Sequence, residues 1–163
     1  MISQELLNEI RQGFVLSLDG IHGEPHWARV RENGLYLAER ISADPAVVEF
    51  FAYLHDSQRQ SDGWDKEHGL RAAEFLRGLT MELLPLSNAQ RELLAYACAH
   101  HSDGFTEADV SVQACWDADR LDLGRIGIEP DARYLCTPLA RDPEIIAWAF
   151  RRSKGVGQGF GNP

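Results

Sequence analysis

The sequence predicts an all-α fold, a single-domain helical bundle, and three observations carry that prediction. Apolar residues recur with a period near 3.6 over almost every segment, and none sustains the period-2 alternation of a half-buried strand. Capping residues and first-turn prolines mark one helix start after another. A chain of 163 residues is of the size that closes around one core, and it contains no internal repeat and no linker that would divide it.

The elements follow in order. Ile2, Leu6, Leu7, Ile10 and Phe14 form the apolar stripe of a first helix. The stretch LDGIHGE breaks it, and Pro25 suits the first turn of a second helix carrying Trp27, Val30, Leu37 and Ile41. Asp44-Pro45 joins an N-cap to a first-turn proline and opens the apolar helix PAVVEFFAYL, which ends in His55-Asp56. After the polar loop SQRQSDGWD, a helix is expected from about Glu67 to Leu79, with Leu70, Ala73, Phe75 and Leu76 facing inward. Ser87 and Gln90 form a capping box for a helix reaching His100 or His101. Thr106 with Asp109 is the candidate cap of the next helix, which runs through Val110, Val112, Cys115 and Trp116 to Leu121. Asp142 caps a last helix from Pro143 to about Arg152. One domain is expected over residues 1–154, followed by a mobile Gly-rich tail over 155–163.

Composition excludes several function classes. The net charge of −9 argues against a nucleic-acid backbone as partner, because phosphate tracks are bound by basic patches. Lys66 and Lys154 are the only lysines, so the remaining cations are arginines, whose planar fork suits phosphate or carboxylate. Cys98, Cys115 and Cys136 are odd in number and never spaced as C-x-x-C, which predicts buried reduced thiols rather than disulfides or a thiolate zinc site. No stretch has the length and apolarity of a membrane span, and the start MISQELLNEIRQ is acidic and amphipathic, unlike a secretory signal. A cytoplasmic chain without membrane or nucleic-acid partners is the expectation.

The His55-Asp56 doublet poses the chemical question. Burying an imidazole and a carboxylate side by side is costly unless something satisfies both. All six histidines lie between positions 22 and 101, namely His22, His26, His55, His68, His100 and His101. Imidazole and carboxylate are the natural donors for iron, manganese, nickel, cobalt or zinc, and helices can deliver them to a common centre. Adjacent residues on a helix diverge by about 100°, so His55 and Asp56 can share one site only at a helix end, which is where the sequence places them.

His26 in HWARV, then His55-Asp56, then Asp119 in WDADRL, together resemble the H…HD…D signature of the HD-domain metal-dependent phosphohydrolase superfamily. The resemblance covers roughly residues 20–128. It implies an HD-type helical bundle in which His26, His55, Asp56 and Asp119 bind a divalent metal. His22 is a rival to His26, and Asp117 and Asp122 compete with Asp119; Asp122, one turn on, would otherwise support a ligand from behind. Some members carry further histidines and bind two metals bridged by the doublet's aspartate. The candidates here are His68 in KEHGLRAAEF and His101 in H-S-D-G, preferred over His100. Asp56, His68 and His101 would then be both ligands and catalytic groups.

The implied activity is that of a phosphatase or phosphodiesterase. Metal-activated hydroxide would attack phosphorus in a small phosphorylated metabolite, a nucleotide being the favoured class. Arg59, Lys66, Arg120 and Arg125 lie nearest the motifs and are the candidate phosphate binders. Arg59 stands where the nucleotidase branch has an acidic residue, which counts against that branch. Trp27, Trp64 and Trp116 flank the motifs and are candidates to stack on a base or to fill the core. Two other classes use the same architecture: a di-iron oxygenase, and a non-catalytic small-ligand module, against which the intact ligand set speaks.

Overall fold

Seven α-helices form among residues 1–155, the part of the chain that the computed structural model describes. They are α1 (Gln4–Gly13), α2 (Glu24–Ile41), α3 (Pro45–Leu54), α4 (His68–Gly78), α5 (Asn88–His100), α6 (Val110–Arg120) and α7 (Pro143–Ser153). Two short 3-10 turns, Leu123–Ile126 and Ala132–Tyr134, lie between α6 and α7. No strand occurs among the described residues. The tail expected to be mobile lies, Gly155 apart, outside them.

The caps account for most helix starts. Asp44 accepts hydrogen bonds from the Ala46 and Val47 amides at the head of α3, and the Ser87–Gln90 box closes on both sides at the head of α5. Asp142 caps α7 through the Glu144 amide. One expectation shifts: Asp109 alone caps α6, accepting from the Ser111 amide, while Thr106 offers only its carbonyl to Gln113 Nε2. Inside α4 the buried face is Gly69, Ala72, Ala73 and Leu76. Leu70, expected inward, is half-exposed because the face is set one residue earlier.

α2 lies against both α3 and α6, α4 pairs with α5, and α3 contacts α5 and α6. Trp27, Phe51, Leu54, Leu76, Leu94 and Trp116 are fully buried in the shared core. A smaller cluster of Leu37, Leu121, Leu135, Ala140, Ile146 and Ala149 seats α7 against α2 and the end of α6.

Two glycines permit the close approaches on which the site depends. A Cβ at Gly34 of α2 would collide with Val48 Cγ1 of α3 and stand 3.2 Å from Ala118 Cβ of α6. A Cβ at Gly69 of α4 would collide with the Cys98 carbonyl oxygen of α5 and stand 3.3 Å from His101 Nδ1. No described helix is long and apolar enough to cross a membrane.

Candidate metal centre

Each candidate ligand sits at a helix terminus, and the bundle brings these termini to one place. His26 lies in the first turn of α2, and His55-Asp56 follows the last residue of α3. His68 opens α4, His101 caps the C-terminus of α5, and Asp119 is in the last turn of α6. His26, His55, Asp56, His68 and His101 are all buried, and the Asp119 side chain is 15% exposed.

Helix-end chemistry also aims the rings. A backbone carbonyl has two lone pairs, so one near a helix end can accept a ring N–H as well as an amide. The His55 Nδ1–H donates to the Phe51 carbonyl at 3.1 Å, and the His101 Nδ1–H donates to the Cys98 carbonyl at 2.7 Å. His68 Nδ1 is bonded in the same way to the Asp65 carbonyl. His26 Nδ1 donates to Asp122 Oδ2 at 2.6 Å, and Arg29 clamps that carboxylate with bonds of 2.6 and 3.1 Å. In each ring the Nδ1 proton is committed outward, which leaves the Nε2 lone pair pointing inward.

Those lone pairs face one another. His26 Nε2 lies 3.0 Å from His55 Nε2, and His68 Nε2 lies 2.8 Å from His101 Nε2. Two acceptors at such distances repel unless a cation stands between them. Nitrogens about 2.1 Å from one ion and at right angles are about 3.0 Å apart, so both pairs have the spacing of neighbouring ligands on a shared metal. Asp56 divides its oxygens between the pairs. Oδ2 is 3.6 Å from both His26 Nε2 and His55 Nε2, and Oδ1 is 3.3 Å from His68 Nε2 and 3.5 Å from His101 Nε2. Asp119 Oδ1 joins the first pair, 3.4 Å from His26 Nε2 and 3.8 Å from His55 Nε2, and has no hydrogen-bond partner among the described residues. A buried oxygen without a partner costs about 1–3 kcal/mol, a cost that coordination removes.

The electrostatics favour the same occupant. Burial pushes the His55 imidazole down to about 3, so a proton is a poor filler of the gap to His26. At Asp56 burial opposes the charge, but the surrounding imidazoles outweigh it and hold the carboxyl well below its usual range. Asp119 is likewise held low against burial, by His26 and Arg125. Burial lowers the His101 imidazole, yet its bond to Asp56 and that carboxylate's charge leave it above its ordinary value. Two ionised carboxylates among buried imidazole lone pairs form an oxygen-nitrogen donor set compatible with a divalent metal.

An open cleft of about 450 Å³ leads to Asp56, His101 and Asp119. Arg59, Arg120 and Arg125 line it, whereas Lys66 is exposed and outside its lining. Arg59 Nε donates to Asp56 Oδ1 at 2.9 Å, and Arg125 Nη2 is 3.7 Å from Asp119 Oδ1. Arg120 is used differently from expectation: Nη1 donates to the Tyr134 carbonyl and Nη2 to the Phe105 carbonyl, so it holds two walls of the cleft in place.

Other candidates are relocated. His100 is bonded to Asp103 at the surface, away from the cluster. Asp117 does not take the place of Asp119: it is buried and accepts the Cys136 and Thr137 amides and the Thr137 hydroxyl. Asp122 lies behind His26 and accepts its Nδ1–H. Trp27 and Trp116 are core residues and unavailable for stacking, while Trp64 is 88% exposed.

Two residues had roles that the motifs alone left unassigned. His22 does not replace His26 but stands beside it, lining the cleft with Nδ1 2.8 Å from Asp56 Oδ2 and Nε2 3.4 Å from the Asp62 carbonyl. Its signal is the H-x-x-x-H spacing to His26, with His22 in the loop just ahead of α2 and His26 in its first turn. Arg29 was visible as the arginine of H-x-x-R-V, and its contact with Asp122 supplies the reason.

No protein-family model and no curated protein matches the chain. A crystal structure of a predicted HD superfamily hydrolase from an uncultured Thermotogales bacterium is similar over 94% of this chain and 86% of that one. Its TM-score is 0.67 and its sequence identity 26%. Helix order, buried His-Asp cluster and structural neighbour agree, and the chain has the all-α fold of an HD domain.

Proposed function

We propose that the protein is a hydrolase of the HD superfamily, specifically a metal-dependent phosphohydrolase acting on a small phosphorylated metabolite such as a nucleotide. The observation that carries this reading is the pair of facing imidazole contacts, 3.0 and 2.8 Å, disposed about the two oxygens of one carboxylate. His26, His55, Asp119 and Asp56 Oδ2 would hold one ion, and His68, His101 and Asp56 Oδ1 a second. Such ions supply Lewis acidity toward a phosphoryl oxygen and a water acidic enough to act near neutral pH.

The chain's own residues do the rest. Arg59 and Arg125 line the cleft and offer charge-assisted contacts to phosphate oxygens. In hydrolysis the water oxygen bonds to phosphorus, the ester P–O bond breaks, and its electron pair leaves with the alcohol oxygen, which must gain a proton. His22 is placed to hold that proton, with both ring nitrogens facing oxygen acceptors at the cleft wall.

Orthophosphate release from a panel of phosphoesters, by protein supplied with manganese, cobalt, nickel or iron, tests the reading. Release that disappears in Asp56→Asn, with KM raised in Arg59→Ala, is the expected result. Oxygen uptake without phosphate release would assign the cluster to di-iron oxygenation. Neither response across the panel would leave ligand binding without catalysis.

A further inference from the structure

A second cleft, of about 300 Å³, opens directly beside the first. The two share Arg120, Leu123 and Tyr134 in their walls, so the outer cleft adjoins the one that reaches Asp56, His101 and Asp119. Beyond the shared wall the second cleft is lined by Ile128, Pro130 and Leu135, with the carboxylates Glu129 and Asp131. Ile128 and Tyr134 are 51% and 61% exposed, and Ile126, in the wall of the first cleft, is 46% exposed. Three large apolar side chains exposed along these two adjoining clefts form a patch that a ligand would cover.

The charges in this groove are largely committed. Arg120 is buried, with Nη1 on the Tyr134 carbonyl and Cys136 Sγ and Nη2 on the Phe105 carbonyl. Asp131 is paired with Arg133. A second phosphate reaching the outer cleft would therefore meet carboxylates and an already committed guanidinium. An apolar ring would meet Leu123, Ile128 and Tyr134.

We propose that the outer cleft is the leaving-group subsite and selects phosphomonoesters whose alcohol is uncharged, apolar and about the size of one ring. Sugar phosphates and nucleoside polyphosphates are disfavoured. This inference rests on the phosphohydrolase reading and replaces its nucleotide example with a different substrate class. Ile128 and Tyr134 are its specificity-determining residues, and Arg120 is a positioning residue that fixes the Tyr134 backbone.

The test compares kcat/KM for 2-phenylethyl phosphate and glycerol 3-phosphate with the same metal supplied. Both are primary alkyl esters, so their leaving oxygens are similar in basicity and the difference reports the subsite. The parent is expected to prefer the phenylethyl ester by about tenfold or more. In Ile128→Glu, and separately in Tyr134→Ala, that ratio should fall toward one. Both side chains are exposed, so neither substitution removes a core residue. Equal hydrolysis of the two esters by the parent, or a ratio unmoved by both substitutions, overturns the subsite and leaves the phosphohydrolase reading standing. Hydrolysis of neither ester, nor of any other in the panel, overturns both.

Discussion

Gly69→Ala tests how the bundle builds the site, because it adds one methyl group behind the His68–His101 pair without changing any candidate ligand. The new Cβ would lie within 3.0 Å of the Cys98 carbonyl oxygen, 3.1 Å from the Ala99 carbonyl oxygen and 3.3 Å from His101 Nδ1. Backbone cannot rotate away as a flexible side chain would, so α4 and α5 must part by roughly 1 Å. His68 opens one helix and His101 caps the other, so the 2.8 Å contact between them opens with the helices. Overpacking of this kind costs about 1–3 kcal/mol, a Tm fall of roughly 2–12 °C for a chain of this size. The better helix propensity of alanine offsets less than about 1 kcal/mol. Gly78, in the last turn of the same helix, is the matched control, since a Cβ there meets nothing within 4 Å. Thermal unfolding and elemental analysis after desalting read the outcome. Gly69→Ala should melt lower and lose metal from the His68–His101 pair, while Gly78→Ala matches the parent. Parent-like melting and metal content in Gly69→Ala would refute the argument that this close approach sets the second pair.

Three further outcomes follow from the same geometry. His22→Gln should lower kcat by about 10²- to 10⁴-fold while metal content stays at the parent level; equal loss of metal would make His22 a ligand instead. Asp122→Asn removes the carboxylate that holds the His26 Nδ1–H and pairs with Arg29, so metal affinity measured by chelator competition should fall about 10- to 100-fold. Burial pushes all three thiols up, Cys136 to about 12, so a thiol reagent at pH 8 should label none in the folded protein and three after denaturation.

The positions of the candidate ligands were legible because they sit where the sequence announces helix ends. The Asp44-Pro45 start and the length of the apolar run place His55-Asp56 just past α3, and the Ser87–Gln90 box places His101 at the end of α5. Once the termini are known, the antiparallel pairing of α4 with α5 and of α2 with α3 brings the candidate ligands together. The arginines were not legible in the same way. Proximity to Asp119 along the chain marked Arg120 and Arg125 as phosphate binders. Arg120 reaches the Tyr134 and Phe105 carbonyls, and Arg125, which lines the cleft, also holds the Ile21 and Asp122 carbonyls, in loops and 3-10 turns that have no periodicity to read. The role of Asp117, a competitor of Asp119 in the sequence, was hidden for a related reason: its partners, Cys136 and Thr137, lie in an irregular segment well beyond α6. His22 sits in a tight loop ahead of α2, so its contact with Asp56 depends on how that loop folds back.

The most direct test of the central claim is the metal content of the purified protein, measured by elemental analysis on the parent and on Asp56→Asn. The facing His26–His55 and His68–His101 contacts, each with one Asp56 oxygen, lead us to expect close to two transition-metal ions per chain in the parent, with near-complete loss in Asp56→Asn. A parent that holds no ion as purified, and takes up none on incubation with manganese, cobalt, nickel or iron, would contradict the account.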